Sequence, residues 1–309
     1  MNRLQPVISF VSPVYQSEST LRKLVEEIDL VMSRIGESYE IILIDDRSTD
    51  NSWNILRELS RSHSDLKIAR LSRNFGQHPA IMAGLSLAQG KWIVVMDCDL
   101  QDQPKEVEKL YNKALEGYEV VLGKRTNRQD SWFKKISSLI FAKVYFLFTD
   151  VIYDNEVANF GIYHEKVIKA ILTISDYIKF FPLFVKFVGF KTISIDVEHQ
   201  SRLNGKSSYS FTKLISLMFN TIISFSNKPL KIFVKFGILI SFLSFLVGFY
   251  YLYLAITNQI EVLGFSSIII SLWFLAGIII TIIGVIGIYL GKVFNQVKGR
   301  PVFIIEEML

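Results

Sequence analysis

Trp92-Ile93-Val94-Val95-Met96-Asp97-Cys98-Asp99 runs five apolar residues straight into a pair of carboxylates two positions apart. A short β-rich run cut off by acids reads as a buried strand that ends at a loop. The same grammar occurs upstream in Tyr39-Glu40-Ile41-Ile42-Leu43-Ile44, which stops at Asp45-Asp46. Val7 to Val11, ended by Ser12-Pro13, and Leu66 to Leu71 are two further strands, and Glu119 to Leu122 is another. Between them lie helical patterns. Leu21, Leu24, Val25 and Ile28 share one face; Trp53, Leu56 and Leu59 share another, behind Asp50 and Ser52 as capping residues. His78 to Ala88 forms a third helix, with Gly90 as its stop.

Strand and helix in alternation predict an α/β domain, with a mostly parallel sheet covered by helices on both faces. Ligands of such sheets bind outside the carboxyl ends of the strands. Asp45-Asp46 and Asp97-Cys98-Asp99 both fall there. One acidic pair at a strand end reads as a turn or cap; two pairs at the same edge point to a site.

The 309 residues are 50% hydrophobic, which is high for a water-soluble chain. The excess lies after about Lys228. Ile232 to Ile256 and Leu263 to Leu290 each exceed the ~20 residues that cross a hydrocarbon core as a helix. Lys228, Lys231 and Lys235 precede the first run, and Lys292, Lys298 and Arg300 follow the second. The connector Thr257-Asn258-Gln259-Ile260-Glu261 carries no base. The positive-inside rule puts both ends of the hairpin, and the domain before it, in the cytoplasm at the inner membrane. Tyr209 to Phe225 has helical spacing of Phe211, Leu214, Ile215, Met218, Ile222 and Phe225, which suits an interfacial helix or a helix of the domain core. The expected organisation is a catalytic domain over 1–208, an interfacial helix over 209–228 and a two-span hairpin with a short tail over 229–309. Gly277, Gly284, Gly287 and Gly291 allow close helix approach in the second span.

The net charge of +5 goes with bases flanking apolar segments, hence with anionic lipid rather than nucleic acid. One cysteine, Cys98, excludes an internal disulfide and makes a structural zinc site improbable. No G-x-G-x-x-G follows the first strand, and neither a P-loop nor H-E-x-x-H is present. The four histidines are scattered over surface and core positions. Carboxylates two residues apart on a tight loop suit Mg²⁺ or Mn²⁺, which binds through one or two carboxylates and substrate phosphates.

Val11-Ser12-Pro13-Val14-Tyr15, Asp45-Asp46-Arg47-Ser48-Thr49-Asp50, Asn74-Phe75-Gly76-Gln77 and Met96-Asp97-Cys98-Asp99-Leu100-Gln101-Asp102 together resemble family 2 glycosyltransferases, in particular the polyprenyl-phosphate glycosyltransferases. The resemblance runs in order from Val7 to Tyr209. It implies a GT-A fold and a nucleotide-sugar site of Pro13, Tyr15, Asp45, Asp46, Asn74, Gln77 and Asp97, with Asp45 and Asp46 on base and ribose. It implies a metal and diphosphate site of Asp97, Asp99 and Gln101. Arg125 is similar to the family's acceptor-phosphate arginine. Arg202-Leu203-Asn204-Gly205-Lys206-Ser207-Ser208-Tyr209 is similar to its R-x-x-G-x-S-x-Y block, so that Arg202, Lys206 and Ser207, with Lys135 and Ser138 on an apolar helix from Trp132 to Phe148, would face the acceptor phosphate. Asp99, Arg125 and Arg202 are the catalytic candidates; for each base a solvated surface position is the alternative. The implied activity is inverting transfer of a hexose, with UDP as carrier, to an undecaprenyl-type phosphate in the bilayer, by a homo-oligomer that relatives suggest is a tetramer.

Three departures stand out. Arg47 replaces the glycine usual between Asp46 and Ser48. Cys98 replaces the usual alanine. Asn159-Phe160-Gly161 stands where the family often has D-F-R. Two other functions compete: a family 2 enzyme with a different membrane acceptor, and a non-catalytic membrane scaffold. A processive polysaccharide synthase would need a Q-x-x-R-W block, which is absent.

Overall fold

The computed structural model describes residues 5–125, 157–176, 179–198, 228–257 and 264–309. They fall in two compact units. One holds the described residues up to Glu198 together with Arg300–Leu309; the other holds those between Lys228 and Gly299.

The first unit is built on the expected alternation: β1 (Ile8–Val14), α1 (Leu21–Ile35), β2 (Tyr39–Asp45), α2 (Ser52–Ser62), β3 (Leu66–Leu71), α3 (Gln77–Leu87) and β4 (Trp92–Val95). It continues through a 3₁₀ turn (Pro104–Glu106) to α4 (Val107–Leu115), β5 (Val120–Arg125), β6 (Val157–His164), α5 (Glu165–Leu172), α6 (Phe181–Phe187) and β7 (Thr192–Val197). The last strand, β8 (Ile305–Met308), comes from the end of the sequence.

All eight strands form one sheet in the order β7-β5-β6-β4-β1-β2-β3-β8. Strands β1 to β4 run parallel, as does the β5–β7 pair. Strand β6 is antiparallel to both β4 and β5, and β8 is antiparallel to β3. The sheet is therefore mixed, with a parallel centre.

Strands β1 and β2 are buried on both faces, so they read as continuous apolar runs rather than as alternation. Phe10, Ile41 and Leu43 point into one core with Leu21, Leu24 and Ile28 of α1, Trp53 and Leu56 of α2, and Leu110 of α4. The intervening Val11, Ile42 and Ile44 are equally buried but outside that cluster; their side of the sheet is where α3 packs on β1 and β2.

Two local expectations are revised. Ser52 is the first residue of α2 rather than its cap; Asp50 Oδ1 accepts the Ser52 N–H at 3.1 Å, and the cap residue Asn51 makes no side-chain bond to the helix backbone. Gly90 does not end α3, which stops at Leu87 with an extended Ala88 as its cap. Its missing Cβ instead permits close approach to β1: a Cβ there would sit 2.7 Å from the Ser9 backbone nitrogen.

The second unit contains α7 (Lys228–Ile256) and α8 (Phe265–Val297). At 1.5 Å per residue they are about 43 and 50 Å long. Leu230–Val247 and Phe274–Val297 are apolar and long enough to cross a membrane. Their large side chains stand open to the surroundings, Phe242 at 59% and Ile280 at 70% exposure. The expected interfacial helix over Tyr209–Phe225 lies outside the described residues.

Candidate active site

Strand β1 is the switch point of the sheet. From it the chain steps outward to β2 and β3 on one side, then returns to β4 on the other. Crevices at such points are where open α/β sheets bind ligands. Val14 of β1 is level with Asp45 of β2, and Asp45 with Arg70 of β3, so the loops after these strands open on one edge. Among the described residues, the non-glycine positions with positive φ are Gln16 (51°), Arg47 (59°) and Leu100 (59°). Each lies in the loop after β1, β2 or β4. Left-handed backbone costs an ordinary residue roughly 1–2 kcal/mol, and such strain gathers where a fold holds a site in shape.

Both acids at the end of β2 are buried. Asp45 Oδ1 accepts the Ser48 N–H at 3.0 Å, which folds the turn back on itself. Its Oδ2 lies 3.1 Å from Arg70 Nε, close enough for ion pairing but not aligned as a hydrogen bond. The Arg70 guanidinium also stacks over Trp53. Asp46 turns the other way. Its two oxygens accept the N–H groups of Phe75 (2.7 Å) and Gly76 (2.8 Å), clamping the Asn74–Gln77 loop that leads into α3. Burial raises the Asp46 carboxyl above its usual range; the two backbone donors oppose that rise.

The stretch after β4 alternates. Asp97, Asp99 and Gln101 are partly exposed, whereas Cys98 and Leu100 are buried in the core cluster. The alternation directs the three polar side chains away from the core. Gln77, at the start of α3, donates from Nε2 to Asp97 Oδ1 at 2.7 Å, and Asp99 Oδ1 accepts the Gln101 N–H at 3.1 Å. Cys98 Sγ donates to Ser17 Oγ at 3.1 Å, tying the β4 loop to the β1 loop. Burial, reinforced by the neighbouring Asp97 and Asp99 carboxylates, pushes the thiol up to about 12, so it stays protonated and unreactive.

The structure thus gathers Asp45, Asp46, Gln77, Asp97, Asp99 and Gln101 at one sheet edge. Tyr15 follows β1 there and is 46% exposed. Pro13 lies within β1, and Asn74 belongs to the loop held by Asp46. Arg125 is the last residue of β5. Lys135, Ser138, Arg202, Lys206 and Ser207 lie outside the described residues. The donor set fits a hard divalent cation. Among the described residues no three His, Cys, Asp or Glu side chains converge; Asp97 and Asp99, with Gln101 beside them, would supply oxygens to such an ion, which also takes substrate phosphates as ligands.

Gly161, at the D-F-R departure, is fixed by packing. A Cβ there would lie 2.8 Å from the Val121 carbonyl oxygen and 3.0 Å from the Tyr163 hydroxyl. Sequence reasoning did not anticipate the contact made by Arg47. Its guanidinium pairs with Glu306 of β8, 259 positions away, and no local signal carries such a contact. A cavity of about 610 Å³ opens near Tyr39, Glu40 and Gln89 at the opposite edge of the sheet and holds none of the site residues.

A GT-A-like sheet with paired acids at its switch point is the arrangement of a nucleotide-sugar transferase fold, and the comparisons agree. Residues 9–172 match the model described as glycosyl transferase family 2. The chain belongs to that family. It is 36% identical to the uncharacterized glycosyltransferase YkcC of Bacillus subtilis (strain 168), over 97% of this chain and 93% of that one. It is 34% identical to the undecaprenyl-phosphate 4-deoxy-4-formamido-L-arabinose transferase of Proteus mirabilis (strain HI4320), over 98% and 94%. Among solved structures, the Mycobacterium tuberculosis glucosyl-3-phosphoglycerate synthase in complex with Mn²⁺, UDP-glucose and phosphoglyceric acid shares the fold at a TM-score of 0.52 and 14% identity, covering 71% of this chain and 78% of that one.

Proposed function

We propose that this glycosyltransferase moves a sugar from a nucleotide-sugar, a UDP-hexose, to the phosphate of a polyprenyl phosphate at the cytoplasmic face of the membrane. The observation that carries the reading is the outward alternation of Asp97, Asp99 and Gln101 at the switch point of the sheet, with Asp45 and Asp46 on the neighbouring loop. The lipid acceptor is supported by the two apolar helices and by the undecaprenyl-phosphate transferase of Proteus mirabilis, which resembles this chain along nearly its full length.

The step is a single displacement with inversion. An acceptor phosphate oxygen forms a bond to the anomeric carbon as the bond from that carbon to the diphosphate oxygen breaks. The electron pair leaves with the nucleoside diphosphate. A phosphate monoester, with a second pKa near ~6, is largely ionised at neutral pH, so no side chain has to remove a proton. Asp97, Asp99 and Gln101 would hold Mg²⁺ or Mn²⁺, which when bound offsets charge on the departing diphosphate. The Gln77 amide keeps the Asp97 carboxylate oriented. Asp45 and Asp46 shape the turn for the nucleoside. By the family resemblance, Arg125, Arg202 and Lys206 would hold the acceptor anion, with Lys135, Ser138 and Ser207 as further candidates.

Asp99→Ala should lower product formation by at least about a hundredfold in membranes supplied with undecaprenyl phosphate and UDP-, GDP- or dTDP-sugars, read as lipid-linked sugar by mass spectrometry. Wild-type product with an unchanged rate in the variant would overturn the assignment. A product on a different lipid would move the acceptor.

A further inference from the structure

The residues after the second apolar helix do not trail away from the catalytic unit. Ile68 and Leu309 exchange two backbone hydrogen bonds of 2.9 Å, and Ser72 donates to the Ile304 carbonyl at 2.9 Å. Strand β8 thereby completes the β3 edge, with Arg70 opposite Glu307. Arg70 is also the cation 3.1 Å from Asp45. The neighbouring Glu306 pairs with Arg47, which directly follows Asp45-Asp46. Two links therefore run from β8 to the turn that carries both acids, one through the β3 backbone and one through a side chain.

The choice of residue at 47 sharpens the point. Its φ of 59° is a conformation that glycine adopts without cost and an arginine does not. The turn bears that strain and places the guanidinium on Glu306. The pair is half-exposed, at 40% and 46%, so it contributes little to global stability.

We propose that β8 is a working part of the donor site, with Arg47 and Glu306 as positioning residues that hold the Asp45-Asp46 turn in the conformation that receives a nucleoside diphosphate. The proposal rests on the reading of that turn as the nucleotide side of the site. Through β8, the chain that has passed through the apolar hairpin returns to set donor affinity.

The test uses the full-length protein in detergent, with UDP and UDP-glucose as probes, reading Kd by calorimetry, KM and kcat by product formation, and Tm. Glu306→Gln and Arg47→Gly should each weaken donor binding and raise the donor KM about fivefold, with kcat and Tm little changed. The charge swap Arg47→Glu with Glu306→Arg should recover most of the loss that either reversal causes alone. Donor binding as in the wild type for both Glu306→Gln and Arg47→Gly would overturn the proposal. So would losses that follow Tm and are not recovered by the swap, since they would make β8 a stability element only. If the wild type binds neither probe, nor any other nucleotide-sugar, the underlying nucleotide reading falls first; if it binds and the variants match it, only the role of β8 falls.

Discussion

His78 shows how one residue beside the site can tie stability to pH. It follows Gln77 in the first turn of α3, and its ring meets Phe180 edge-on at 4.6 Å. Its Nδ1 is buried without a partner. Burial lowers its pKa from 6.5 to about 4. Between those values the unfolded chain binds the proton and the folded chain does not, so stability rises with pH across that window and is complete above it. Acidification from pH 7.5 to pH 5 should therefore remove up to about 2 kcal/mol through this group. His78→Phe keeps a ring against Phe180 but cannot titrate. Its Tm should fall less than that of the wild type over the same pH change, and equal slopes would exclude the role. None of this was legible in the sequence, where His78 was one of four scattered histidines. By contrast Asp45, Asp46, Asp97 and Asp99 could be placed from sequence, because each follows a strand whose apolar run fixes where the loop begins. The partner of Arg47 could not, because nothing within its own segment selects Glu306.

At the scale of elements, legibility follows burial. Strands β1, β2 and β4 are enclosed on both faces and were readable as apolar runs. Strand β8 was not, since Ile305-Glu306-Glu307-Met308 has no pattern of its own and becomes a strand by pairing with the edge of β3. Strand β6 depends likewise on β4 and β5. At the edge of the sheet away from the site, three strands and a loop are joined by one buried carboxylate. Glu40 of β2 accepts from the Ser9 hydroxyl at 2.6 Å and the Gln89 N–H at 2.7 Å, and pairs with Lys67 of β3 at 2.6 Å. Ser9 Oγ in turn accepts the Gly90 N–H at 2.7 Å. Glu40→Ala would strand several of these groups at once, and should cost about 3 kcal/mol in denaturant unfolding. Because the network lies opposite the acidic loops, the donor KM measured well below the Tm should not change. A raised KM in that variant would mean that the two edges are mechanically coupled.

At the scale of the whole molecule, two facts constrain the topology together. The helices α7 and α8 carry apolar side chains that water would not tolerate at such exposure, and β8, which follows α8, belongs to the same sheet as β1 to β7. If both helices span the bilayer, the chain must emerge on the side from which it entered, because the domain before the hairpin and the strand after it share one sheet. The positive-inside rule, an independent criterion, points the same way: both ends would lie on one side and the Thr257–Glu261 connector on the other. The single cysteine makes this measurable. Cys98 is buried, and replacing it with alanine, the residue usual in the family, gives a cysteine-free background expected to retain donor binding and transfer. In that background, Asn258→Cys should react with a membrane-impermeant maleimide in intact cells. A cysteine at the half-exposed Glu306 should react only after the cells are opened, and without that substitution there should be no labelling. Labelling of Glu306→Cys but not of Asn258→Cys in intact cells would reverse the orientation and remove the cytoplasmic donor from reach. Labelling of both in intact cells would put the connector and β8 on one side and break the hairpin topology that β8 requires.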